Sequence, residues 1–117
     1  MRIPFIKQKE IFSEAEKNRL VVENRCKYVD PLQRAKEVFE SLDMGKTRLH
    51  NGVLVYVAIK DHQFAILGDQ GIHDKVGNDF WVKEADLLIG HFQRNRIVEG
   101  IEACIEEIGA SLRTHFP

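Results

Sequence analysis

The sequence predicts an α/β protein, a three-layer α/β/α sandwich around a central mixed β-sheet. Val53-Leu54-Val55-Tyr56-Val57-Ala58-Ile59 is apolar at every position, so a strand here meets water on neither face. A polar break of hairpin size, Lys60-Asp61-His62-Gln63, separates it from a second apolar run, Ala65-Ile66-Leu67. Helical patterns stand before and after this strand pair, which requires a sheet covered on both faces.

The elements follow in order. Ser13-Glu14-Ala15-Glu16 has capping-box spacing, a hydroxyl at the N-cap and a carboxylate three residues on, and predicts a short helix. Leu20-Val21-Val22 is apolar and β-branched, which fits a strand or the tail of that helix and favours the strand. Asp30-Pro31 is a helix start, an N-cap followed by proline at the first position. Leu32, Ala35, Val38, Phe39 and Leu42 then recur at helical spacing, and Gly45 is expected to end the run as a C-cap residue. Asn51-Gly52 opens the central strand as a turn, and that strand should send Val53, Val55 and Val57 to one face and Leu54, Tyr56 and Ala58 to the other. After the hairpin, Gly68-Asp69-Gln70-Gly71 is expected to form a glycine-bracketed loop. Asn78 or Asp79 is expected to cap the next helix, whose inner face is Phe80, Trp81, Ala85, Leu88 and Phe92. The last helix carries one stripe, Ile97, Ile101, Cys104, Ile105, Ile108 and Leu112, with Glu99, Glu102, Glu106, Glu107 and Arg113 on the other side. The expected order is α-β-α-β-β-α-α within one domain spanning residues 1–117.

Composition excludes several classes. The 117 residues are 44% hydrophobic and 30% charged, with a net charge of -1 and both signs mixed. That balance fits a globular protein and predicts neither nucleic acid nor an anionic membrane as partner. Cys26 and Cys104 lack CxxC spacing, and Cys104 is expected as a buried free thiol. Spacing gives a disulfide between them no support. No 18-residue apolar span exists, so no membrane span is expected. Met1-Arg2-Ile3-Pro4-Phe5-Ile6-Lys7-Gln8-Lys9 lacks the apolar run and cleavage site of a signal peptide. A cytoplasmic location is the default, and a chain trimmed of a targeting segment would read the same.

The chemistry candidates cluster between the second hairpin strand and the next helix. Asp69, Asp74 and Asp79 stand there with His73 among them. Ca2+ and Mg2+ take several oxygen ligands, and carboxylates spaced along an irregular loop can converge on one ion. The spacing is not that of an EF-hand. The ordinary reading makes Asp79 a helix N-cap, Asp74 a solvated turn residue and Asp69 a turn former. His50, His62, His73, His91 and His115 contain no H-E-x-x-H pair, which disfavours zinc. Ser13, Ser41 and Ser111 lie outside any nucleophile elbow, and neither cysteine has a local activator, so no covalent nucleophile is expected. Gly68-Asp69-Gln70-Gly71 has the GxxG form of RNA-binding KH modules, but its aspartate would repel phosphate.

Three ordered blocks resemble the TPM domain family. They are Asn51-Gly52-Val53-Leu54-Val55-Tyr56-Val57, Ala65-Ile66-Leu67-Gly68-Asp69-Gln70-Gly71-Ile72, and Asp79-Phe80-Trp81, followed by His91-Phe92 and Val98-Glu99-Gly100-Ile101. The resemblance covers roughly Arg25 to Pro117 and is to the short, single-domain bacterial branch, especially that of Bacteroidetes. It implies an α/β/α sandwich with a mixed sheet and divalent-metal binding, often calcium, in loops at one end of that sheet. It also implies two kinds of role. One is a metal-dependent phosphatase or nucleotide hydrolase acting on a phosphate ester or nucleotide. The other is a non-enzymatic assembly or modulatory module with a protein partner. Carried over by position, the loop acid is Asp69 and the helix-start acid is Asp79, both as ligands to Ca2+ or Mg2+; Asp74 is added by proximity. The resemblance names no catalytic residue here. One departure stands out: Asn18-Arg19-Leu20 runs almost directly into Val21-Val22-Glu23, where the family has a longer first helix and a turn before the strand.

Overall fold

In the computed structural model, which describes residues 18–117, the apolar run becomes strand β2, Val53–Ala58. Strand β1 (Asn18–Glu23) lies parallel to it on one side, and β3 (Gln63–Gly68) lies antiparallel on the other. The sheet order β1-β2-β3 is mixed, as predicted, with β2 in the middle. Every side chain of β2 is fully buried, and alternate residues enter different cores. Val53, Val55 and Val57 join Leu88, Ile101, Cys104, Ile108 and Leu112. Leu54, Tyr56 and Ala58 join Ala35, Val38, Met44 and Ala65. This is the two-residue strand period expressed as two apolar layers. The hairpin turns through His62, whose φ of 54° takes the left-handed conformation that a glycine would take more cheaply. The helix expected at Ser13–Glu16 lies outside the described residues.

Helix α1 (Pro31–Ser41) covers the Leu54 face, crossing from β1 to β2 as a parallel pair requires. Asp30 caps it by accepting from Leu32 N at 3.0 Å. Gly45 is not its C-cap. The helix closes earlier, where Leu42 N and Asp43 N donate to the carbonyls of Val38 and Glu40. Asp43 takes the left-handed conformation, and Gly45 sits inside a 3-10 turn, Met44–Lys46, that tucks Met44 into the core. Leu42 is consequently left 37% exposed rather than packed on the sheet.

A polar network fastens α1 to the sheet. Arg34 donates from Nε and Nη2 to the two oxygens of Glu23, at 3.0 and 2.8 Å, and the buried Tyr56 hydroxyl donates to Glu23 Oε1 at 2.7 Å. The guanidinium holds the Glu23 carboxyl below its usual range, while burial and the Glu23 charge push the Tyr56 phenol up. One charge pair thus satisfies a buried phenol and fixes the helix to two strands.

Three helices cover the opposite face and its end: α2 (Gln70–Val76), α3 (Asn78–Gln93) and α4 (Ile97–His115). Of the stripe predicted for α4, Ile101, Cys104, Ile108 and Leu112 are buried together with Gly100 and Gly109, while Ile97 and Ile105 are half-buried at its edge. Cys104 is buried and free, and Cys26 is free and half-buried. Among the described residues no helix is long and apolar enough to cross a membrane.

Candidate functional site

The segment after β3 is not the irregular loop expected from its glycines. It is helix α2, and Asp69 is its N-cap. Asp69 Oδ1 accepts from Gln70 N at 2.8 Å, while Asp69 N donates to Gly52 O at 2.9 Å. A seven-residue helix containing glycine does not hold itself together in water. Docking supplies the rest. Ile72 is buried in the core, and its N–H donates to His50 O at 3.3 Å. A β-carbon on Gly71 would lie 2.1 Å from Leu49 O and 2.5 Å from His50 O. Gly71 is therefore what lets the backbone of α2 rest on the 49–50 turn.

This arrangement isolates one oxygen. Asp69 Oδ2 is out of water and has no hydrogen-bond partner. His50 Nδ1 lies 3.4 Å from it, an ion pair only when the imidazole is protonated. His50 takes φ of 51° in the turn that carries it, and its side chain is mostly exposed. A buried carboxylate oxygen without a donor is costly, and a cation removes that cost. Of the three predicted ligands, Asp69 alone has such an oxygen, and a divalent ion takes several.

The other predicted ligands sit differently. Asp74 is exposed on α2, where Oδ1 accepts from Gln70 Nε2. Asp79 is exposed in the first turn of α3. Neither Asn78 nor Asp79 caps that helix; the N-cap is Gly77, whose φ of 77° breaks the chain between α2 and α3. Among the described residues no group of three or more His, Cys, Asp or Glu side chains is placed to hold a metal ion. The three aspartates are thus not gathered as a set. His73 turns inward instead, its Nδ1 accepting from Trp81 Nε1 at 3.0 Å. That bond assigns the ring proton to Nε2. The Trp81 ring lies directly on Gly68, the residue before Asp69. The chain's single tryptophan therefore braces the strand end from which Asp69 projects.

Two functional-looking residues carry little or no mark in the sequence. His50 stands nineteen or more residues from the acids and has no spacing signal. Glu84 is fully buried on α3, with neither carboxylate oxygen hydrogen-bonded. Here a signal existed: Phe80, Glu84 and Leu88 stand four apart, so the apolar stripe of α3 passes through Glu84.

The mixed three-stranded sheet of the described residues, set between helices, makes this a small α/β sandwich domain. The TPM domain matches residues 7–111, and the chain belongs to that family. Among solved structures it is similar to the BA42 protein of the psychrophilic bacterium Bizionia argentinensis, determined by NMR. The two share 36% identity with a TM-score of 0.77 over 96% of this chain and 82% of that one. Among curated proteins none matches.

Proposed function

We propose that this chain is a divalent-cation-binding TPM domain whose ion, Ca2+ or Mg2+, is held first by Asp69. The observation that carries this reading is the buried, unpartnered Oδ2 of Asp69. Asp74 and Asp79, the acids of α2 and of the start of α3, are not gathered beside it and would reach the ion only through water. Hard cations with oxygen-rich, partly hydrated shells suit such a set better than zinc does. An ion bound there would polarise a phosphate ester and lower the pKa of a bound water, the route to hydrolysis of a phosphate ester or nucleotide. The chain's own part is to hold the carboxylate still: Gly71 seats α2 on the 49–50 turn, and Trp81 braces Gly68 and His73.

A second reading, a non-enzymatic module with a protein partner, draws on a groove at the other end of β3. It encloses about 300 Å³ and is lined by His62, Phe64, Ile89, Phe92 and Gln93. Calorimetric titration of Ca2+ and Mg2+ into metal-free protein, followed by phosphatase and nucleotidase assays of the loaded form, separates the two. Saturable binding that Asp69→Asn weakens, with turnover above background, supports a hydrolase. Binding without turnover favours the module. Absence of binding at millimolar ion removes the cation reading.

A further inference from the structure

We propose that the seam between α3 and α4 is a proton-operated latch: α3 docks on α4 with Glu84 as the neutral acid, and ionisation of Glu84 releases α3. Glu84 is fully buried in the middle of α3, both its oxygens are out of water, and neither has a hydrogen-bond partner. A carboxylate in that position has little compensation, whereas a carboxylic acid costs far less to bury.

The groups that face it cannot neutralise it. From α4 come Cys104, itself fully buried, and the carboxylate of Glu107. Lys83, on α3 itself, reaches Glu107 at 3.7 Å from a largely exposed position, so its charge is spent at the rim. Strand β3, which also packs on α3, carries no ionisable side chain. The ionisable residues of α2 are His73, Asp74 and Lys75, and His73 is engaged by Trp81 one turn away from Glu84. Burial, and then the neighbouring Glu107, push the Glu84 carboxyl up to about 7 from an ordinary 4.5, against smaller opposing pulls from Cys104 and Lys83. Burial also pushes the Cys104 thiol up, so it stays protonated and offers no counter-charge.

The folded state therefore binds the Glu84 proton more tightly than the unfolded chain does. The contribution of this proton to stability is intact below about pH 4.5, declines as pH rises, and is lost above about pH 7. Across that window the unfolding equilibrium constant should rise by about two orders of magnitude, since each pH unit between the unfolded and folded pKa values is worth close to tenfold. Since α3 carries Trp81, its release would also lift the indole from Gly68.

The test compares wild-type protein with Glu84→Gln between pH 5 and 8, by chemical denaturation and by amide exchange corrected for intrinsic rate. Wild-type stability should fall by the stated factor while that of the variant stays level. Amides of α3 and α4 at the seam should lose protection before those of β2. Parallel pH profiles for the two proteins would overturn the latch, as would simultaneous loss of protection in β2 and the seam. Should Glu84→Gln not fold, carboxyl carbon NMR of the wild-type chain decides: titration of Glu84 near 7, moving lower in Glu107→Gln, upholds the proposal, and titration in the ordinary carboxylate range overturns it.

Discussion

Asp69 divides its labour between its two oxygens. Oδ1 starts α2, and Oδ2 is buried with no hydrogen-bond partner. Substitution to asparagine keeps an acceptor for Gln70 N and removes the charge. Asp69→Asn is therefore expected to leave the metal-free fold near its wild-type stability, within about 0.5 kcal/mol, since asparagine caps helices as well as aspartate does. The rise in melting temperature that millimolar Ca2+ or Mg2+ gives the wild type by mass action should shrink markedly in the variant. Thermal melts with and without ion read both effects. Gly71 has the converse role, since it holds no ligand and yet shapes the site. Gly71→Ala would force a methyl against the carbonyls of Leu49 and His50. A loss of about 1–3 kcal/mol by urea denaturation is expected, typical of overpacking against backbone that cannot yield. A loss under about 0.5 kcal/mol, the range of ordinary surface substitutions, would mean that the 49–50 turn does not rest on α2.

At the scale of elements, β2 and α4 hold the fold together. Ile108 on α4 is fully buried against Val53, Val55 and Val57. Ile108→Ala should cost about 2–5 kcal/mol by denaturant titration, as buried Ile truncations do. The network of Glu23, Arg34 and Tyr56 adds a pH signature of its own. Glu23 has its carboxyl held low by Arg34. Its stabilisation is present above the ordinary carboxylate value and is lost as pH falls through the folded one. Glu23→Gln should flatten stability on the acid side, below about pH 5, while leaving the neutral-to-basic limb unchanged. What could be read from the sequence at this scale was what periodicity encodes. The unbroken run of β2 and the stripe of α4 each repeat one geometric rule, and Asp30-Pro31 is a local cap. Helix α2 could not be read that way. Its two flanking glycines and polar middle favour a turn locally, and only docking on the 49–50 carbonyls and burial of Ile72 make it helical. Glu84 was hidden for a related reason: a charged residue on a helix reads as solvent-facing, and its burial is decided by where α4 packs.

For the whole molecule, the sheet separates two ends. One end carries the α1 network around Glu23. The other carries Asp69, the 49–50 turn and the Trp81–His73 brace, because β3 runs antiparallel and delivers its last residue beside the start of β2. The sequence pattern alone places Asp69 at this end, directly after a strand. It does not reveal His50, which only the turn at 49–52 brings within 3.4 Å of the carboxylate. The most direct test of the cation reading is a titration of Ca2+, then Mg2+, into metal-free, nitrogen-15-labelled protein, followed by amide and indole NMR shifts. Saturable shifts should centre on His50, Asp69 to His73 and the Trp81 indole, with the Glu23–Arg34 end unmoved and Asp69→Asn abolishing the pattern. Shifts that do not saturate at millimolar ion, or that centre anywhere other than around Asp69, would contradict it.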